Sequence, residues 1–356
     1  MKIAVLVSGG VDSSVVLQLL KNEGKHDLTA YYLQIWLEDE LSFLGECPWE
    51  EDLSYVREVC EQLDVPLKVI PLQKEYHERV VSYVIEELKH GRTPSPDILC
   101  NERVKFGAFF DSIDASYDKV ASGHYAQVIE HDDHFELRRA PDPVKDQTYF
   151  LSSLRQDQLA RALFPIGHLQ KDEVRELAEA HDLPNKKRKD SQGICFLGKI
   201  KYTDFVKFHM GEREGDVIEL ETGKVWGQHK GVWFYTIGQR HGLPFHGGPW
   251  YVVKKDLDKD ILYISHKTNV QNQSVKALKA SSIHWIHDTP EEDRTYSAKL
   301  RHGPKLVDVT FKMAGEGKMI VFLSESDKGV AAGQSVIFYD DTTCLGRAVI
   351  DGPVEF

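Results

Sequence analysis

The stretch from Lys2 to Gly24 restricts the fold of this chain more than any other. KIAVLVS (2–8) is a short apolar run rich in Val, Ile and Leu, as a strand buried on both faces should be. SGGVDSS (8–14) follows, and VDSSVVLQLLKNEG then reads as a helix stopped at Gly24. Strand, glycine loop and helix in that order place backbone N–H groups and a positive dipole end at one point, which is a ready anion site. Gly9 and Gly10 allow close backbone approach, and Ser8, Ser13 and Ser14 add hydroxyl donors. Asp12 is placed to hold Mg²⁺ against phosphates. The loop has neither the lysine and spacing of a Walker A motif nor the G-x-G-x-x-G of a dinucleotide fold.

The alternation continues downstream. LTAYYLQIW (28–36), LKVIPL (67–72) and YDKVASGHY (117–125) read as strands. WEEDLSYVREVCEQL (49–63), EYHERVVSYVIEELKHG (75–91) and DEVRELAEAHDLP (172–184) read as helices. This βαβα pattern predicts an α/β domain with a doubly wound parallel sheet, whose ligands sit beyond the carboxyl ends of the strands. Ser8, Trp36 and Gly123 fall at or near those ends. After about residue 210 the pattern changes to short strand-like runs, including DVIEL, KVWGQ, VWFYTIG, WYVVKKDL, VDVTFKMAG and QSVIFY. Two small β-rich domains are expected, the last a β-barrel, giving units at 1–208, 209–272 and 273–356. Trp226, Trp233 and Tyr235 read as core of the central unit.

With 356 residues the chain can build several cores. No apolar run reaches transmembrane length, and no secretory or transit pattern opens the sequence. The expected setting is therefore the cytoplasm of a bacterium or the interior of an organelle after processing, with no membrane partner. Five widely spaced cysteines, Cys47, Cys60, Cys100, Cys195 and Cys344, fit a reducing compartment rather than a disulfide framework. None forms a C-x-x-C pair, so no thiolate metal site is expected. A net charge of −12 argues against a general nucleic-acid coat. The charge is uneven, however. Residues 1–90 hold 17 acidic against 8 basic side chains, and residues 185–213 hold 3 against 8. Lys186 to Lys189 is thus either a solvated loop or a phosphate-contacting one.

Two cysteines stand in chemically suggestive settings. In TPSPDILCNERVKFG (93–107), Pro94 and Pro96 impose an extended entry, and Asp97 and Cys100 are spaced for one face of a helical turn. Arg103 and Lys105 would favour the thiolate. In KKRKDSQGICFLGK (186–199), Cys195 follows a basic run and a glycine. Cys47, Cys60 and Cys344 read as inert.

SGGVDSS resembles the pyrophosphate loop of the N-type ATP pyrophosphatases. Together with GRTPSPDILCNERVKF, ASGHY, PVKDQTYFLSSL, LFPIGHLQKDEVR, KKRKDSQGICFLG, FYTIGQRHGL and AAGQSVIFYD, it resembles the tRNA-specific 2-thiouridylases from about residue 3 to 352. The resemblance implies an enzyme that places sulfur on C2 of the wobble uridine, position 34 of tRNA. ATP would adenylate the C2 oxygen, and a cysteine persulfide would supply sulfur. ATP would lie on Leu6, Val7, Ser8, Gly9, Gly10, Val11, Asp12 and Ser13, with Leu33 and Gly123 nearby. Cys100 would be the nucleophile, Cys195 the persulfide carrier and Asp97 an acid/base beside the target uridine. Ser95, Pro96 and Asp97 would contact the base, and Lys145, Asp146 and Gln147 the tRNA, together with His124, Arg301, His302 and Gln334. Glutamate, lysine and glutamine tRNAs, an upstream persulfide donor and a monomeric state complete the implied picture. Ser95 stands where the family usually has Asn, and Leu33 where it often has Met. LEDELSFLGECPWEED (37–52) is a longer acidic segment than many members carry. Two other classes explain parts of the pattern. Another adenylating ligase would use the loop but neither cysteine, and a non-catalytic nucleotide- or RNA-binding module would use the β-rich half alone.

Overall fold

The computed structural model describes residues 1–35, 49–190, 201–270 and 274–354. Trp36, Cys47 and Cys195 lie outside the described residues, as does most of the 37–52 segment. The first half builds a parallel sheet from β1 (Lys2–Leu6), β2 (Asp27–Gln34), β3 (Leu67–Pro71), β4 (Lys119–Ala121) and β7 (Ala162–Leu163), ordered β3-β2-β1-β4-β7. The expected doubly wound arrangement is present. Its direction reverses beside β1: the chain runs outward through β2 and β3, then returns to place β4 on the other flank. The crevice beyond the carboxyl ends of β1 and β4 is where such sheets bind ligands.

The period of two in β1 explains its double burial. Ile3 and Val5 join a core made with α1 (Val11–Asn22), α2 (Trp49–Leu63) and α5 (Lys171–Ala180). Ala4 and Leu6 join another core, with α3 (73–89) and α4 (96–112). Both α3 and α4 widen into π-helical turns, over His77–Val81 and Cys100–Ala108. Phe106, at φ −110° and ψ 15°, breaks the second. Such widened turns recur at functional sites.

A hairpin of β5 (Ala126–Glu130) and β6 (Phe135–Arg139) has no counterpart in the periodicity reading, which assigns no strand there. It leaves the parallel-sheet half and pairs with the last strand of the described residues. The central unit is a four-stranded sheet of β8 (Gly215–Glu219), β9 (Val225–His229), β10 (Trp250–Asp256) and β11 (Ile261–His266). Within VWFYTIG, Val232–Phe234 is a 3₁₀ turn rather than a strand, because Gly231 enters at φ +148°. Trp226 and Tyr235 pack in the small central core, whereas Trp233 turns into the core of the parallel-sheet half.

The last unit runs from β12 (Val275–Trp285) through β13 (Tyr296–Lys299), β14 (Val307–Met313), β15 (Lys318–Asp327) and β16 (Ser335–Asp340) to β17 (Thr343–Pro353). Pairing of β12 with β17 closes the order β12-β15-β14-β13-β16-β17 into a six-stranded barrel. Phe311, Phe338, Leu278 and Val321 fill it. Ile337, Tyr339 and Cys344 point outward from the barrel and into the core of the parallel-sheet half, so one apolar cluster joins the two.

Candidate active site

The loop after β1 is braced from inside and from both sides. Ser13 Oγ accepts a hydrogen bond from Ser8 N (3.2 Å) and donates to Gly10 O (3.0 Å). Gly10 caps α1 and offers no side-chain acceptor to its first turn. Gly9 adopts φ +75°, and a Cβ there would lie 2.6 Å from the Asp52 carbonyl oxygen. Gly9 O accepts from buried Asn185 Nδ2 (2.7 Å) and from Arg188 Nη1 (3.0 Å). Arg188 in turn pairs with Asp52 and lies over the Tyr55 ring. The 186–189 run is therefore neither of the two simple alternatives. Arg188 holds the loop, Lys186 pairs with Glu179 and Asp182, and Lys187 and Lys189 are exposed. Gly123, just past β4, comes so near the start of α1 that a Cβ would lie 3.0 Å from Ser13 N.

A lysine does reach this loop, from far along the chain. Lys171, the first residue of α5, places Nζ 2.7 Å from Asp12 Oδ1 and 2.9 Å from Asp190 Oδ1. Asp190 also pairs with Lys145 and Arg175. Burial raises the Asp190 pKa, but hydrogen bonds from Lys145 and Lys171 outweigh it and hold the carboxyl far below its ordinary value. Tyr125 donates from its hydroxyl to Asp12 (2.9 Å); burial and that carboxylate push the phenol well up. Asp12 thus has fixed cationic and hydroxyl partners, while Lys171 is held beside the N-terminus of α1. Sequence reasoning gave Lys171, Asn185, Tyr125 and Asp190 no role. The signal was limited to a lysine at a helix start, in QKDEVR, and a polar run after α5.

Cys100 is buried at the point where α4 widens. Asp97 sits in the first turn of α4, behind Pro96. The barrel meets this segment directly. Gln334 Nε2 donates to Thr93 O (3.0 Å) and Pro94 O (3.1 Å), and Thr93 N donates to Ala332 O. His302 stacks on Phe150 at 4.5 Å; burial and Lys299 lower its pKa, against the smaller opposing pull of Asp146 and Asp97. Arg301 is half exposed and pairs with Asp327. A cavity of about 190 Å³ opens between the entry to α4 and the central unit, lined by Thr93, Pro94, Pro96, Trp233, Tyr235 and Thr236 among others, with Ser95, Asp97 and Cys100 not in its lining. Leu33 lies at the carboxyl end of β2, beside Ile70 of β3.

Residues 122–125 connect the two halves of the site. Gly123 touches the phosphate loop, Tyr125 touches Asp12, and His124 packs on Phe106 of α4. Burial, helped by Lys105, keeps the His124 imidazole far below its ordinary pKa and therefore neutral. Of the 145–147 triplet, Lys145 faces Asp190 and Gln147 Oε1 accepts from Tyr125 N. Asp146 is fully buried, 2.7 Å from the equally buried Lys299 of the barrel and 3.1 Å from Arg139.

Family models match the chain in three consecutive blocks. They are a tRNA methyl transferase HUP domain over residues 1–199, a tRNA methyl transferase PRC-barrel domain over 203–266 and an aminomethyltransferase beta-barrel domain over 275–350. The tRNA-specific 2-thiouridylase MnmA of Parabacteroides distasonis is 44% identical over 98% of this chain and 99% of that protein. The tRNA-specific 2-thiouridylase MnmA 1 of Bacteroides thetaiotaomicron is 43% identical, again over 98% and 99%. Among solved structures, the U34-tRNA thiolase NcsA of Methanococcus maripaludis overlaps 59% of this chain and 66% of its own, at 18% identity and a TM-score of 0.35. With relatives this similar from end to end, the chain belongs to the tRNA-specific 2-thiouridylase family.

Proposed function

We propose that this chain replaces the C2 oxygen of the wobble uridine of tRNA with sulfur, using ATP. The observation that supports the reading is a chain of contacts: residues 122–125 touch the loop through Gly123 and Tyr125 and α4 through His124 on Phe106. In this reading the braced loop would hold the nucleotide, α4 would supply Asp97 and Cys100, and the barrel, whose Gln334 bonds the entry to α4 and whose His302 stacks on Phe150, would face the tRNA.

A uridine C2 carbonyl is a poor electrophile because its oxygen leaves badly. Attack of that oxygen on the α-phosphorus of ATP forms the adenylated base and expels pyrophosphate. Loop N–H groups and Lys171 would stabilise the charge that develops on the leaving group. The donor set, one carboxylate among hydroxyls, fits Mg²⁺ held mainly through phosphates and water. Asp12 would be its protein ligand, and the ion would neutralise phosphate charge.

The base must leave the anticodon stack, and the cavity lined by Pro94 and Pro96 would receive it. A persulfide on Cys195 then provides sulfur. In one order its terminal sulfur attacks C2, AMP leaves, and Cys100 cleaves the remaining sulfur–sulfur bond. In the other, Cys100 first releases hydrosulfide, which attacks C2. Both end with thiouridine, AMP and a Cys100–Cys195 disulfide that an external dithiol reopens. Glutamate, lysine and glutamine tRNAs, an upstream persulfide donor and a monomer belong to this reading. The wording of the family models would favour methyl transfer instead, but that gives no task to a pyrophosphate loop or to Cys100.

Mass spectrometry of tRNA incubated with the protein, ATP and a persulfide donor tests the proposal. Exchange of one oxygen for sulfur at the wobble base is expected. AMP release without that exchange would indicate a ligase, a methyl gain a methyltransferase, and no turnover a binding module.

A further inference from the structure

The tight turn of the β5–β6 hairpin carries His131, Asp133 and His134, and His287 follows the end of β12 by two residues. The three imidazoles form one stack at the junction of the catalytic half and the barrel. The His131 and His134 centroids are 4.6 Å apart, and those of His134 and His287 4.1 Å. Each ring has its own carboxylate: Glu136 at 3.1 Å from His131 Nε2, Asp133 at 2.7 Å from His134 Nδ1, and Asp288 at 3.4 Å from His287 Nε2. Ligand atoms of Asp133, His134 and His287 all lie within 4.8 Å of one another.

We propose that this patch binds a divalent transition-metal ion of the zinc or nickel class, fastening the hairpin to the exit of β12. Imidazoles with one nitrogen tied to a carboxylate have their tautomer and ring direction fixed, the arrangement that metal-ligating histidines use. A mixed nitrogen and oxygen donor set of this kind selects borderline ions over Mg²⁺ or Ca²⁺. Stacked parallel rings cannot aim two lone pairs at one point, so loading requires one ring to turn. His287 is 38% exposed and has room to do so. With metal–nitrogen bonds of about 2.0 Å, tetrahedral donors stand roughly 3.3 Å apart, so the donors close by at most roughly 1.5 Å, within the reach of side-chain rotation. The mechanical consequence is local. The hairpin is held to β17 by a two-residue register, Thr343 with Arg138 and Cys344 with Leu137, and to Ile286 through Gln156, which bonds Phe135 and the Ile286 carbonyl; the ion would add a direct link at the tip.

The test uses untagged full-length protein titrated with Zn²⁺ and with Co²⁺ as a spectroscopic substitute, beside the His134→Ala/His287→Ala variant. One more ion per chain is expected for the native protein than for the variant, with visible Co²⁺ bands free of a thiolate charge-transfer band. Its melting temperature should rise with metal while that of the variant stays fixed. The single variant His131→Ala, which keeps the other donors, should keep the stoichiometry and weaken binding by at most about 10- to 100-fold, the scale of an outer-shell loss. Equal stoichiometry in native and variant protein, or Co²⁺ bound only with a thiolate band, would overturn the proposal. Both altered residues lie outside the nucleotide and cysteine site, so metal-free thiolation should be the same in native and variant protein.

Discussion

At the residue scale the central fact is that a loop without its own lysine borrows one. Lys171 stands 2.7 Å from Asp12 although 159 positions separate them. Lys171→Met should lower AMP formation by roughly 10²- to 10³-fold, as loss of one preorganised donor to a developing charge does. Its tRNA affinity should be unchanged, and near-native turnover would remove Lys171 from the mechanism. Asp190 holds the cations of this cluster in place. Its folded pKa lies below its ordinary 3.8, so the stability it contributes is present above that value and is lost as pH falls through the folded pKa. Urea unfolding followed from neutral pH to below 3.8 should show native protein losing stability at the acid end. Asp190→Asn should start less stable and fall less steeply there; an equally steep fall would contradict the assignment. None of this was legible in the sequence. A motif marks residues close in the chain, whereas Lys171, Asn185 and Asp190 reach the loop only because α5 and its following turn fold back across α1.

At the element scale, periodicity identified what local packing decides. Apolar β1 and amphipathic α1 and α2 form where the sequence places them, because each buries a face set by its own residues. Elements that depend on distant partners were harder to read. The β5–β6 hairpin completes its pairing only with β17. VWFYTIG has strand composition, but glycine geometry and the catalytic core claim it instead. Asp146 illustrates the same limit. The family resemblance offers it as a tRNA contact, and its carboxylate faces Lys299 with neither side chain exposed. Lys299→Met should cost about 3–5 kcal/mol in urea unfolding, the scale for stranding a buried charge. Adding Asp146→Leu should not recover that loss, because Arg139 and the buried Thr148 would then lose the carboxylate they bond. If Lys299→Met is neutral, the pair does not hold the barrel to the catalytic half.

At the scale of the whole molecule, the barrel is joined to the parallel-sheet half through Ile337, Tyr339 and Cys344 and through Gln334 on Thr93 and Pro94, the segment that enters α4. The architecture was legible from the change of pattern near residue 210. The closure of the barrel and its contact with Thr93 and Pro94 were not, since both are made by strands far apart in sequence. No helix among the described residues is long and apolar enough to cross a membrane. The account stands on the division of labour between adenylation and sulfur transfer. The most direct test is a single-turnover assay with wobble-unmodified tRNA, ATP and a persulfide donor, comparing Cys100→Ser and Cys195→Ser with native protein for both AMP and thiouridine. Both variants should form AMP in a tRNA-dependent manner and yield no thiouridine. Thiouridine at the native yield from either variant would contradict the two-cysteine mechanism.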